Sequence, residues 1–139
     1  MRHILLFCLL ALALAAAAGC RSSGNVPGTV SYDMSATAQK KLTKKQMHDA
    51  IYRACVARGW TPRDAGPDAI EAELTVRGKH HVVVSIAYTA AHYDIRYKDS
   101  RNMNYRPNAD GVSTIHPNYN KWVSTLDHDI RKQLALSSM

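Results

Sequence analysis

Cysteine is scarce in this chain: Cys8, Cys20 and Cys55 are the only three in 139 residues, with no CxxC pair and no Cys/His spacing of a zinc site. That excludes a disulfide-stapled scaffold, a thioredoxin-like redox motif and a cysteine-based metal centre. Acidic residues are outnumbered, 11 against 18 Lys and Arg, for a formal charge of +7. Long apolar runs are missing too, since Ile4 to Ala16 falls short of the roughly 18 to 20 residues that span a bilayer. No GxSxG nucleophile elbow, internal repeat or second core-sized segment occurs, which leaves one small domain and no signature of a hydrolase fold.

What is present begins with MRHILLFCLLALALAAAAGC. Arg2 supplies a positive start, Ile4 to Ala16 an apolar stretch, and the small residues a cleavage site, the layout of a secretory signal. Ala17-Ala18-Gly19-Cys20 resembles the lipobox of bacterial lipoproteins, in which a peptidase cuts before the Cys and that Cys carries the lipid. Leu is the favoured residue three before the Cys and Ala17 stands there, so ordinary cleavage after Ala16-Ala17-Ala18, leaving Cys20 a free thiol, is the alternative. The resemblance to bacterial lipoproteins implies, with Arg21 rather than Asp after the Cys, onward sorting to the outer membrane.

The expected organisation is therefore a signal peptide over 1–19, a lipid-anchored flexible linker over 20–42 beginning at acylated Cys20, and a single α+β domain over 43–139. Removing the leader takes away one cation, Arg2, leaving 17 Lys and Arg against 11 Asp and Glu, a formal +6. A basic protein of the envelope is drawn to lipid headgroups or acidic glycans, and the compartment argues against nucleic acid. Cys55, left without a partner, falls in an apolar helical register and reads as a small buried hydrophobe.

Thr43 with Gln46 three later is a capping box, and Met47, Ala50, Ile51, Ala54 and Cys55 repeat at helical spacing until Arg58-Gly59. Pro62 confines any strand after Trp60 to a sheet edge. Three strands follow, at Ile70 to Arg77, His81 to Tyr88 and His92 to Asp99, with period-two alternation placing Leu74, Val84 and Ile95 on one face. A loop at Gly78-Lys79-His80 would pair Val76 with Val82 and Leu74 with Val84; the next hairpin would pair Tyr88 with Tyr93 and Ile86 with Ile95. A last helix runs from about Pro117 or Asn118 to about Leu134. The expected fold is a two-layer α+β sandwich: an antiparallel three- to four-stranded meander with the N- and C-terminal helices on one face.

The polar residues crowd between the last strand and the last helix, in KDSRNMNYRPNADGVSTIHPNYNKW. By alternation Asp99 should point inward to the helix layer and meet the N-terminus of the last helix. Ser100, Asn102, His116, Tyr119, Asn120 and Trp122 complete a cluster that either laces the loop Arg101 to Ile115 in place or binds something. Ser100 as nucleophile, His116 as base and Asp99 as orienter would make a small periplasmic hydrolase, but alternation puts Ser100 and Asp99 on opposite sides. Of the histidines, His80, His81 and His92 sit at strand ends that do not converge, and His48 and His128 fall on the polar sides of their helices, so neither a metal site nor a cofactor is expected. On the sheet's outer face Glu73, Ser85 and Arg96 are expected to form a cross-strand row.

Four segments carry a family resemblance: RGW at Arg58 to Trp60, the Ala-x-Leu-x-x-Arg strand Ala72 to Arg77, Tyr-x-Asp-Ser-x-Asn at Tyr97 to Asn102, and His-x-x-Tyr-Asn-x-Trp at His116 to Trp122. Together they resemble a family of small uncharacterised lipoproteins of Gram-negative bacteria. The resemblance implies a location in the envelope and brings no activity. The resulting expectation is a lipid-anchored binding or accessory protein rather than an enzyme, held to the membrane through Cys20, whose partner is an envelope protein or an anionic envelope component. The alternatives are the Asp99, Ser100, His116 hydrolase and a structural subunit of an envelope complex.

Overall fold

The computed structural model describes residues 23–35 and 40–139, so the signal and Cys20 lie outside the described residues. In chain order the elements are β1 (Gly24–Asn25), β2 (Val30–Asp33), α1 (Lys44–Ala57), β3 (Thr61–Asp64), β4 (Ala69–Val76), β5 (His80–Tyr88), β6 (His92–Arg101), β7 (Thr114–Ile115) and α2 (Asn118–Ser137). Strands β2 to β6 form one antiparallel five-stranded sheet in the order β2-β6-β5-β4-β3, and β1 pairs with β7 in a separate two-stranded ribbon. Both helices contribute to the same core cluster as the inner sheet face, which gives the expected α+β layering.

Helix α1 starts where its caps dictate. Thr43 accepts from the Gln46 N–H and the Gln46 side chain accepts from the Thr43 N–H, satisfying two donors the helix leaves unpaired. It stops at Gly59, whose φ of 79° lets the Gly59 N–H reach Val56 O and the Trp60 N–H reach Cys55 O. That turn drives Trp60 into the core, where it is 3% exposed. The helices run antiparallel, because Arg53 near the end of α1 meets Gln133 and Ser137 while Arg58 meets Asp129, one α2 turn earlier.

The hairpin β5–β6 pairs Tyr88 with Tyr93, Ile86 with Ile95 and Val84 with Tyr97, as alternation predicts. The hairpin β4–β5 is displaced by two residues from expectation: Leu74 faces Val82 rather than Val84, and Val76 faces His80. Its turn is Arg77-Gly78-Lys79, with Arg77 and Gly78 both at positive φ (55° and 66°) and the Lys79 N–H bonded to Val76 O. A shift of two preserves which side chains point inward, so the core is unchanged. It does move the outer row, which becomes Glu71, Ser85, Arg96 instead of starting from Glu73.

Two further expectations are corrected. The segment read as linker supplies β1 and β2, and β2 extends the meander to a fifth strand by pairing Val30 with Ile95 and Tyr32 with Tyr93. Tyr32 earns its place through packing: its ring lies 5.7 Å from that of Tyr93, and the Arg131 guanidinium lies 4.2 Å from its centroid. A four-residue strand carries too little alternation to announce itself. The second correction concerns β6, where a bulge at the Val83/Val84 register shift leaves Lys98 unopposed, so that Asp99 faces Val83 and Ser100 faces Val82.

Candidate functional site

The bulge reverses the polarity of the strand's last residues. Asp99, expected to point at the helix layer, is on the outer face and exposed, while Ser100 turns inward beside Val82. Ser100 shares a hydrogen bond of 3.0 Å with the Tyr97 hydroxyl. His116 accepts the Asn118 N–H on Nδ1 at 3.2 Å, and its own N–H donates to Met103 O. Among the described residues no hydrogen bond joins Asp99, Ser100 and His116, so the arrangement lacks the relay that acyl transfer requires.

Asn102 and Asn120 are engaged with backbone, and Tyr119 and Trp122 with the core. Asn102, at φ 54°, donates from Nδ2 to Lys79 O at 2.9 Å, and its own carbonyl accepts from His80 Nδ1 at 2.9 Å. These two bonds fasten the β4–β5 turn to the end of β6. Asn120 donates to Asn25 O at 2.9 Å, pinning β1 against the start of α2. Tyr119 is 2% exposed and meets Tyr97 edge-on at 5.8 Å, and Tyr97 stacks on Tyr105 at 4.3 Å. Trp122 packs half-buried against the core. Six of the seven residues therefore converge on one end of the domain as structural ties, and Asp99 alone stands apart on the outer face.

Sequence reasoning missed a second cluster at the opposite end. His48, expected on a polar helix side, lies between two carboxylates: Nε2 is 2.8 Å from Asp64 and Nδ1 is 3.2 Å from Asp49. Carboxylate oxygens only accept, so the arrangement is complete only when both ring nitrogens carry protons. Burial of the ring works against the charge, but the bonds to Asp64 and Asp49 outweigh it and hold the His48 pKa above its ordinary value. The ring stacks on Tyr52 at 4.5 Å, and the Tyr52 hydroxyl also donates to Asp64. Nothing in the sequence flagged Asp64, because it sits 16 positions from His48 on an edge strand.

Beside this cluster an open cleft of about 400 Å³ is lined by Lys44, Asp68, Tyr88, Thr89, His92 and Asp94. Lys44 pairs there with Asp68, and His92 Nε2 lies 2.9 Å from Asp94 Oδ1. On the outer sheet face Glu71 is buried beneath Arg63 and Lys98, which both pair with it. Burial pushes the Cys55 thiol up to about 12, so it stays protonated and inert near neutral pH. Among the described residues no group of three or more His, Cys, Asp or Glu is placed to hold a metal ion, and no helix is long and apolar enough to cross a membrane. Comparison with protein-family models, curated proteins and solved structures finds no match for the chain.

Proposed function

We propose that the chain is a lipid-anchored protein of the bacterial cell envelope, in the outer membrane and facing the periplasm, that acts by binding rather than by catalysis. One observation carries the choice between binding and hydrolysis: the side chains that would have served chemistry are already committed to holding the fold. Ser100 is bonded to Tyr97, His116 to the Asn118 amide, Asn102 to the β4–β5 turn and Asn120 to β1. A nucleophile needs its base within hydrogen-bond reach, and His116 serves a backbone amide instead. The anchor rests on the leader and on Cys20, as read from the sequence.

Crosslinking of the lipidated protein in intact cells, followed by identification of what it captures, tests this reading. A discrete envelope partner that is lost with Cys20→Ala is the expected result. No partner, with the protein spread evenly through the envelope, counts against it. Acylation is checked separately with globomycin, which should make the uncut precursor accumulate.

A further inference from the structure

Part of the segment expected to be a slack tether, Gly24–Asn25 and Val30–Asp33, is instead built into the domain as β1 and β2. β1 begins at Gly24, pairs with Ile115, and is packed so closely on the start of α2 that a Cβ on Gly24 would lie 3.1 Å from Asn120 Nδ2 and 3.6 Å from Pro117 Cα. Cys20 precedes Gly24 by only four residues, and a fully extended chain covers about 14 Å over that span. An acyl group on Cys20 therefore holds this end of the domain, and no other, next to the lipid headgroups.

The same end is basic. It gathers the β4–β5 turn with Arg77 and Lys79, the end of β6 with Arg101, the Arg106 bridge to Thr114, and Lys121 in the first turn of α2. The ties through Asn102, His80, His116 and Asn120 make these segments neighbours. All five cations are exposed, and among the described residues none of them is in an ion pair; the acidic residues nearby are Asp99 and Asp110. At the far end Lys44 is paired to Asp68, Lys45 to Asp49 and His48 to Asp64, and two exposed cations outside those pairs, Lys40 and Lys41, stand just before α1. Val112, 48% exposed, adds an apolar contact in the loop just before β7.

We propose that this basic end, formed by Arg77, Lys79, Arg101, Arg106 and Lys121, docks on the anionic phospholipid of the membrane that holds the anchor. The inference rests on the lipid-anchor reading for its orientation, while the unpaired charge supplies an attraction of its own. Each cation close to an anionic bilayer surface strengthens binding by about fivefold, an effect that falls off within a Debye length. Docking there fixes the domain upright, with the cleft beside Tyr88 and the His48 cluster facing away from the bilayer and open to a partner.

The test uses the lipidated mature protein in vesicles of phosphatidylcholine with or without phosphatidylglycerol. Cys20 is acylated and Cys55 is buried, so Val112→Cys or Thr89→Cys supplies the only reactive thiol for a fluorophore, read by a quencher on the lipid headgroups. Quenching at position 112 should exceed that at position 89 several-fold, rise with phosphatidylglycerol, and fall in high salt and in the Lys79→Gln, Arg101→Gln, Arg106→Gln triple variant. Equal quenching at the two positions, or indifference to lipid charge, overturns the proposal. Intact mass reports acylation first. If the acyl chains are missing the anchor reading falls by itself, and co-flotation of the unacylated protein with the same vesicles still decides the docking face: charge-dependent binding lost in the triple variant supports it. Binding that ignores lipid charge, or binding only to an acidic protein or glycan, overturns it.

Discussion

His48 Nε2 lies 2.8 Å from Asp64 Oδ1, and this bond joins the second turn of α1 to the last residue of the edge strand β3. It carries a pH dependence whose sign follows from the direction of each shift. The folded-state pKa of His48 is raised, so its contribution is complete below the unfolded value of about 6.5 and is lost as pH rises through the folded value. Asp49 and Asp64 are shifted down by their bonds to Lys45 and His48, so their contribution is present above about pH 4 and is lost as pH falls. Thermal melts should therefore show the largest gap between wild type and His48→Gln near pH 5 to 6, shrinking above neutrality. A gap that grows with pH would show that the ring is neutral in the fold.

Asp99 and Asn102 are only three residues apart, yet the bulge gives them different fates. Asp99→Ala removes an exposed side chain from the outer face and should change stability by no more than about 0.5 kcal/mol. Asn102→Gly preserves the positive φ while deleting the bond to Lys79 O, and should cost about 1 kcal/mol in chemical denaturation. A larger loss for Asp99→Ala than for Asn102→Gly would reverse the assignment of which residue ties this end together.

These two residues also mark how far the sequence could be read. Alternation located β4, β5 and β6, and the pairing of Tyr88 with Tyr93 was legible because that stretch of the β5–β6 pair is unbroken. Parity fails at Lys98, since one extra residue inverts every side chain beyond it, and no residue type in the stretch announces a bulge. The β4–β5 turn was misplaced because Arg77, not a second glycine, occupies its first left-handed position. The cluster of Asn102, His116 and Asn120 was visible as composition, but its partners Lys79, Asn118 and Asn25 are bound through backbone atoms, which every residue type carries. His48 with Asp64 escaped notice because it depends on the angle at which β3 leaves α1.

That angle is set at Gly59, and it can be tested directly. A Cβ on Gly59 meets nothing within 4 Å, so crowding plays no part and any effect of Gly59→Ala comes from its φ of 79°. An L-residue held in that region costs about 1 to 2 kcal/mol. Gly59→Asn, which tolerates the left-handed conformation better, should recover part of the loss in the same melts. Equal losses for Ala and Asn would point to disruption of Trp60 rather than to backbone strain.

Asn120 holds the strap formed by β1. Its Nδ2 donates to Asn25 O, while its Oδ1 is buried without a partner, so the residue contributes one bond and one unmet acceptor at once. Replacing it with Ala removes both, and the two effects oppose each other, so global stability should move by less than about 1 kcal/mol. The local effect should be much larger. β1 and β7 pair over two residues each, and such a ribbon opens far more easily than the five-stranded sheet. Hydrogen exchange in Asn120→Ala should therefore lose protection at the Val26 N–H, which donates to Ser113 O, while the amides of β4 and β5 keep theirs. Asn120→Asp should be worse, because it sets an acceptor against the Asn25 carbonyl. If Val26 exchanges at the wild-type rate in both variants, the strap is held by its pairing with β7 and the packing at Gly24 rather than by Asn120, and Gly24→Val becomes the substitution that releases it.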